Sequence, residues 1–331
     1  MVGLVLYART AAYGFVLHDD PWLVRDNRLL HDVNVDSVWR VLSDFSWEQR
    51  HRLGAEYLPV RDLSVMLDYA TYGDWIGGHH LTQVLLYAGT CAVLASLALA
   101  LSNSRSLAWL TGLLFATHPV HVEVVAWLSE RKGSKRALAA CLIFVLAVAS
   151  KALVIAGAGA LVLIALWLES PLGRRHKLAF VGAYAACGLL VFIPNVWVSS
   201  SMGVIVPYHG EGFADTLLLF FRAHTQYLKL MAFGGPYAVQ YAVQPGETGV
   251  AGWLPGALAA GLGVGVVAWA MLERSRRTVA MLGLGWWFVF LAPVSHLLVP
   301  VQNYAADRYV FLPSFGLLMA FAALLMKLPR A

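Results

Sequence analysis

Apolar runs close to the ~20 residues needed to cross a bilayer recur from one end of this sequence to the other. In hydrocarbon every backbone N–H and C=O must find its partner within the protein, so only helices and closed barrels can span. The runs are continuous rather than alternating, which excludes barrel strands. The expected fold is all-α: a polytopic bundle of transmembrane helices, with the 331 residues forming a single integral membrane domain. Composition agrees, at 59% hydrophobic and 13% charged with a mean hydropathy of +0.66. The net charge of +5 does not argue for a nucleic-acid partner, because the basic residues cluster in short loops where topology signals belong. Cys91, Cys141 and Cys187 lie inside apolar segments without metal-ligand spacing and read as small buried hydrophobes.

The first apolar segment, about Val2 to Leu17, has no clear cleavage site and reads as a retained first helix. It leads into residues 18–78, the one long polar stretch, which must be a large loop on a single face. Within it, Val33 to Trp47 and Tyr57 to Tyr72 mix apolar and charged residues at helical spacing, as expected of helices lying in the membrane interface. Membrane segments follow at about His79 to Leu101, Leu107 to Thr117, Ala137 to Leu168, Leu178 to Val196, Trp253 to Leu272, Val279 to Val299 and Leu312 to Met326. Ala214 to Phe233 is apolar but carries Arg222, His224 and Lys229, and reads as re-entrant or interfacial. The loops Arg174-Arg-His-Lys177 and Arg274-Ser-Arg-Arg277 are cytoplasmic by the positive-inside rule. Trp197 to Phe213, Val301 to Pro313 and, if the chain begins in the cytoplasm, the loop after the first helix then share the opposite face. Ala137 to Leu168 resists this parity: it is too long for one span and carries Ser150-Lys151 near its middle.

Two carboxylates, Asp19 and Asp20, stand where the first apolar segment meets water. They are either the solvated end of a helix or an active-site pair. His118-Pro-Val-His-Val-Glu123 places three potential ligands within six residues. His118 and His121 are an i,i+3 pair while Glu123 lies well around the helix, so a polar cavity lining or mutual hydrogen bonds are favoured over a metal. His79 and His80 open the second span, where one of them is placed to contact the acidic loop.

The order His18-Asp-Asp-Pro21, Tyr57-Leu-Pro-Val-Arg-Asp-Leu-Ser64, Gly78-His-His-Leu81, His118-Pro-Val-His-Val-Glu-Val-Val-Ala-Trp127, Ser129-Glu-Arg-Lys132, Ser150-Lys151 and Ala306-Asp-Arg-Tyr-Val-Phe-Leu-Pro313 resembles the type-C glycosyltransferases. The likeness is nearest to the transmembrane O-mannosyltransferases that act on cadherins and to their bacterial relatives. It implies an enzyme that moves mannose or a similar hexose from a polyprenyl-phosphate donor to a glycan, lipid or protein acceptor on the extracytoplasmic face. One carboxylate of the acidic pair would serve as general base, since an acceptor hydroxyl needs somewhere to send its proton. Lipid phosphate is already a good leaving group, so one base fits a direct displacement with inversion. Asp20 is favoured as base with Asp19 holding the acceptor or the loop, and the reverse assignment stays open.

Cations must hold the leaving phosphate. The candidates are Arg308, Arg131, Lys132, Arg222, Lys229 and, if the long segment breaks there, Lys151. His80, His118, His121, Glu123, Asp307 and Tyr309 are candidate cavity residues, and Trp22, Tyr57, Trp127, Tyr304 and Tyr309 are candidate sugar-stacking rings. No metal is assigned, although a divalent cation is left open. The family arginine is absent at Leu58, with Arg61 close by, and about one helix is missing between Ser134 and Lys135. No tetratricopeptide periodicity follows the last span, which puts a protein acceptor in doubt. Two other readings stay open: a catalytically degenerate relative serving as a structural subunit, and a transporter or flippase. A bacterial inner membrane with a periplasmic site is the favoured location, or the endoplasmic reticulum membrane in a eukaryote.

Overall fold

The computed structural model describes residues 2–15, 20–121, 137–167, 174–207, 212–235, 237–238, 240–241, 250–272, 278–300 and 303–326. In chain order its α-helices are α1 (Val2–Tyr7), α2 (Arg28–His31), α3 (Val35–Ser43), α4 (Trp47–Arg52), α5 (Pro59–Tyr72), α6 (Ile76–Ser102) and α7 (Arg105–Thr117). They continue as α8 (Ala137–Ser150), α9 (Ala156–Trp167), α10 (Arg174–Ser201), α11 (Phe213–Phe233), α12 (Val250–Leu272), α13 (Val279–Leu291) and α14 (Phe311–Leu325). Among the described residues four stretches are long and apolar enough to cross a bilayer: Ile76–Ser102, Leu178–Ser201, Gly252–Ala270 and Asp307–Leu325. The chain is an all-α, polytopic, integral membrane protein, as its apolar runs require.

Several elements depart from the sequence expectation. The first segment is α-helical only to Tyr7, continues as a 3-10 turn over Ala8–Ala12 and is extended from Tyr13. The Thr10 hydroxyl donates to the Tyr7 carbonyl at 2.7 Å, drawing the chain out of α-geometry. The long run from Ala137 breaks at Lys151: α8 ends at Ser150, a 3-10 turn spans Ala152–Ile155, and α9 follows. Ala214 to Phe233 makes no re-entrant turn and lies in the uninterrupted 21-residue helix α11. The run from Val279 is helical only to Leu291, because Pro293 lies in the 3-10 turn Ala292–Val294 and has no N–H to continue the ladder.

The chain divides into two compact units, each assembled from separated stretches. The first comprises Met1–Cys91, Val124–Ile155 and Gly182–Ile205. Its polar region has a core of its own, built from Leu23, Val24, Leu30, Val41, Leu53, Val65, Met66 and Tyr69. Asn34 caps α3 by accepting the Ser37 N–H at 2.8 Å, Ser46 caps α4, and Pro59 opens α5. The buried Arg50 guanidinium donates to the carbonyls of Asp44 at 2.6 Å, Val41 at 3.0 Å and Arg40 at 3.3 Å, satisfying the C-terminal end of α3. It also lies 5.3 Å and 5.2 Å from the ring centroids of Phe45 and Tyr57. The outer face of α3 leaves Val35, Trp39 and Leu42 exposed. Late in α10, the Asn195 amide donates to the Tyr57 carbonyl at 3.2 Å and Trp197 packs on Phe45.

The second unit comprises Ala92–Glu123, Ala156–Val181 and Val206–Ala331. Its helices α13 and α14 cross at Gly283 and Gly316, where a Cβ on either glycine would run into the carbonyl of the other. The Trp286 indole donates to the Leu312 carbonyl at 2.9 Å across the same contact. Elsewhere the Gly256 N–H donates to Thr225 Oγ1 at 2.8 Å, joining α11 to α12.

Candidate active site

Asp20, the described member of the acidic pair, precedes a single π-type turn opened by Pro21 and is fully buried in the first unit. A carboxylate withdrawn from water is not the solvated end of a helix. Asp19 lies outside the described residues.

The segment leading to Asp20 is held along one face of α6. Tyr7 meets Tyr87 edge-on at 5.1 Å between centroids. A Cβ at Gly77 would lie 2.6 Å from the Ala11 carbonyl oxygen, so only glycine allows that approach. His80, also fully buried, bonds the Gly14 carbonyl through Nε2 at 3.3 Å.

His79 faces the other way and holds the end of α5, donating from Nε2 to the Gly73 carbonyl at 2.9 Å. Its Nδ1 stands 3.6 Å from Asp68 Oδ2, and the other Asp68 oxygen accepts from the Thr82 hydroxyl at 3.0 Å. The two adjacent histidines thus divide the work: one serves the acidic segment, the other the last helix before the span.

Arg61 is buried, donating to the Leu53 carbonyl at 2.6 Å and pairing with Asp62 at 2.8 Å and Glu56 at 3.2 Å. Burial raises the Asp62 carboxyl above the ordinary carboxylate range, while Arg61 and then Arg50 draw it back. Tyr57 donates its hydroxyl to the Leu42 carbonyl at 3.0 Å, and its ring is packed on Phe45. Trp22 is exposed, and Lys151 stands half-buried at the helix break.

In the second unit Asp307 is buried with both oxygens engaged. One accepts the Tyr241 hydroxyl at 2.6 Å and the other the Ala238 N–H at 2.9 Å, so Asp307 ties the segment around residues 238–241 to the start of α14. Burial, and then this hydrogen bond, raise the Tyr241 phenol. The neighbouring Arg308 guanidinium lies 5.2 Å from the Tyr309 ring centroid, leaving a half-buried cation on a fixed turn. Tyr304 is buried, and its carbonyl accepts from His296 at 2.9 Å. On α11, Arg222 is half-buried and Lys229 exposed.

His118 and His121 do not share a helix. His118 follows the end of α7 and His121 ends the 3-10 turn Pro119–His121. His118 donates to the Met231 carbonyl from Nε2 and accepts the Val120 N–H at Nδ1, both at 3.3 Å, and burial lowers its pKa. His121 meets the Phe115 carbonyl at 2.8 Å and the Ser314 hydroxyl at 2.9 Å. These rings tie α7 to its neighbours in the second unit. Glu123, Trp127, Arg131 and Lys132 lie outside the described residues. Among the described residues no group of three or more His, Cys, Asp or Glu side chains is placed to hold a metal ion. Arg50, Asp68 and Tyr241 were not singled out by sequence reasoning, and only the burial of charge in α4 and α5 sets the first two apart.

The chain is 31% identical over 134 residues to the Protein O-mannosyl-transferase tmtc2 of Xenopus laevis, and 30% identical over 134 residues to TMTC2 of Homo sapiens. It is 31% identical over 150 residues to TMTC1 of Mus musculus. The chain is close in sequence to the transmembrane O-mannosyltransferases. The TMTC2 matches take in 39% of this chain and 16% of each relative, and the TMTC1 match takes in 43% and 15%. No family model matches the chain, and no solved structure matches it significantly.

Proposed function

We propose that the chain is a membrane glycosyltransferase that moves a hexose, mannose or a close relative, from a polyprenyl-phosphate donor to an acceptor hydroxyl on the extracytoplasmic face. Asp20 is its general base, the displacement inverts the anomeric carbon, and a cation holds the leaving phosphate. The observation that carries this reading is the full burial of Asp20, which follows a segment pinned to α6 at Gly77 and His80, in a chain similar to O-mannosyltransferases. A base kept dry and fixed is poised for proton transfer in a way that a mobile surface carboxylate is not.

A second reading, a degenerate relative with a structural role, draws support from Arg61. Its guanidinium is spent on Leu53, Asp62 and Glu56, so it does not supply the cation missing at Leu58. The deciding measurement is sugar transfer in membranes supplied with labelled polyprenyl-phosphate mannose, glucose or arabinose, with the natural chain, Asp20→Asn and Asp19→Asn at matched expression. The natural chain should transfer one of these sugars, and Asp20→Asn should lower the rate by about 100-fold or more, the scale of a lost general base. Inactivity of all three chains with every donor would favour the structural subunit, and equal activity in all three would remove Asp20 from the mechanism.

A further inference from the structure

We propose that His80 is a ligand-binding residue whose Nδ1 accepts a hydrogen bond from a hydroxyl group of the bound saccharide or acceptor. The argument rests on which nitrogen carries the proton. His80 Nε2 meets the Gly14 carbonyl at 3.3 Å, and a carbonyl can only accept, so the hydrogen is on Nε2. In neutral imidazole the other nitrogen, Nδ1, is then a bare lone pair that requires a donor. It is buried, and no described group supplies one. A buried acceptor without a partner carries a desolvation penalty, which a ligand hydroxyl would recover on binding.

The neighbouring histidine shows the contrast. His79 has the same donor arrangement at Nε2, but its Nδ1 lies 3.6 Å from a carboxylate oxygen of Asp68, which has no hydrogen to donate and pairs with it only when the ring is protonated. His80 is open at Nδ1 and holds, through its other nitrogen, the backbone six residues before Asp20. One ring therefore fixes the approach to the acidic residue and presents an acceptor for a neutral O–H. A phosphate group, which has no donor when ionised, does not fit this atom.

The ligand chemistry rests on the transferase reading, and the experiment separates the two. His80→Gln places an amide N–H where Nε2 stands, keeping a donor for Gly14, and leaves nothing at the Nδ1 position. His80→Asn places an amide near Nδ1 and gives up the bond to Gly14. In steady-state transfer, His80→Gln should raise KM by roughly tenfold, the worth of one hydrogen bond, for the substrate that carries the hydroxyl. A rise confined to the lipid-linked donor assigns the hydroxyl to the transferred sugar, and a rise confined to the acceptor assigns it there. The matching deoxy substrate should lose the same factor with the natural chain and nothing further with His80→Gln.

Unchanged KM values in His80→Gln, with or without a lower kcat, would overturn the contact and leave His80 a positioning residue. A second readout does not need activity: nitrogen NMR of histidine-labelled protein, with the His80→Gln spectrum identifying the signal. A hydrogen on Nε2 and a bare Nδ1 at neutral pH are expected, and a hydrogen on Nδ1 overturns the proposal even if the natural chain transfers sugar. An inactive natural chain would count against the transferase reading alone, with His80 still judged by its NMR signal.

Discussion

At the scale of the residue, the chain uses several of its candidate groups to hold other groups in place. Asp307 stands in the segment that resembles the family, and its oxygens are spent on the Tyr241 hydroxyl and the Ala238 N–H. Arg308 follows it in the same 3-10 turn. Asp307→Asn keeps the shape but puts an NH2 against one of these two donors, leaving a buried donor unsatisfied at a cost of about 1–3 kcal/mol. Tyr241→Phe removes a single hydrogen bond and should cost about 1 kcal/mol. In the double variant the two losses should fall short of their sum, because they share a bond. Denaturation midpoints in detergent for the two single variants and the double would test this, and strict additivity would show that the Tyr241 bond carries no weight. Nothing in the sequence could have paired these residues: they lie 66 positions apart with no periodicity between them. Asp20 is the opposite case, legible because an acidic pair directly after an apolar run is rare enough to notice, although its burial could not be read from spacing.

At the scale of the element, the long helices were legible and their interruptions less so. The expected span His79 to Leu101 is matched by α6 from Ile76 to Ser102, and Leu312 to Met326 by α14 from Phe311 to Leu325. Continuous hydrophobicity alone sets those bounds. It does not report where a helix stops within an apolar stretch, and so the first segment and α13 are both shorter than their apolar runs. The break at Lys151 was visible only as excess length and one polar dipeptide. The glycine crossing of α13 and α14 was also silent in sequence, since Gly283 and Gly316 are 33 positions apart and neither lies in a GxxxG motif. Each faces the other's carbonyl, so a methyl group on either must force the helices apart. Gly316→Ala should therefore destabilise the second unit by about 1–3 kcal/mol, the usual penalty of overpacking. Gly89→Ala in α6, where a Cβ would meet nothing within 4 Å, is the matched control and should be neutral or slightly stabilising. Unfolding followed by tryptophan fluorescence is suited to the comparison, because Trp286 and Trp287 lie on α13 beside the crossing. Equal midpoints for the two variants would show that the close approach carries no energetic weight.

At the scale of the whole molecule, the remaining question is which face of the membrane carries the polar region. Helix α10 has 28 residues and is about 42 Å long, enough to cross a bilayer once. It begins with exposed Arg175 and His176, and its last turns hold the Tyr57 carbonyl through Asn195 and pack Trp197 on Phe45. If α10 crosses once, the polar region sits on the face opposite the basic cluster at residues 174–177. Helix α6 gives the same order, leaving that region at Ile76 and ending at Ser102, just before Arg105. Positive charge favours the cytoplasm, so the region containing Asp20 should be extracytoplasmic. In a chain with Cys91, Cys141 and Cys187 replaced by serine, Ser43→Cys and His176→Cys each introduce one exposed thiol. A membrane-impermeant maleimide added to sealed, right-side-out vesicles should label Ser43→Cys at once and His176→Cys only after detergent. Reversed labelling would invert the orientation and remove the extracytoplasmic site. Labelling of both positions before detergent would mean that α10 does not cross, and the extracytoplasmic placement of Asp20 would lose its support.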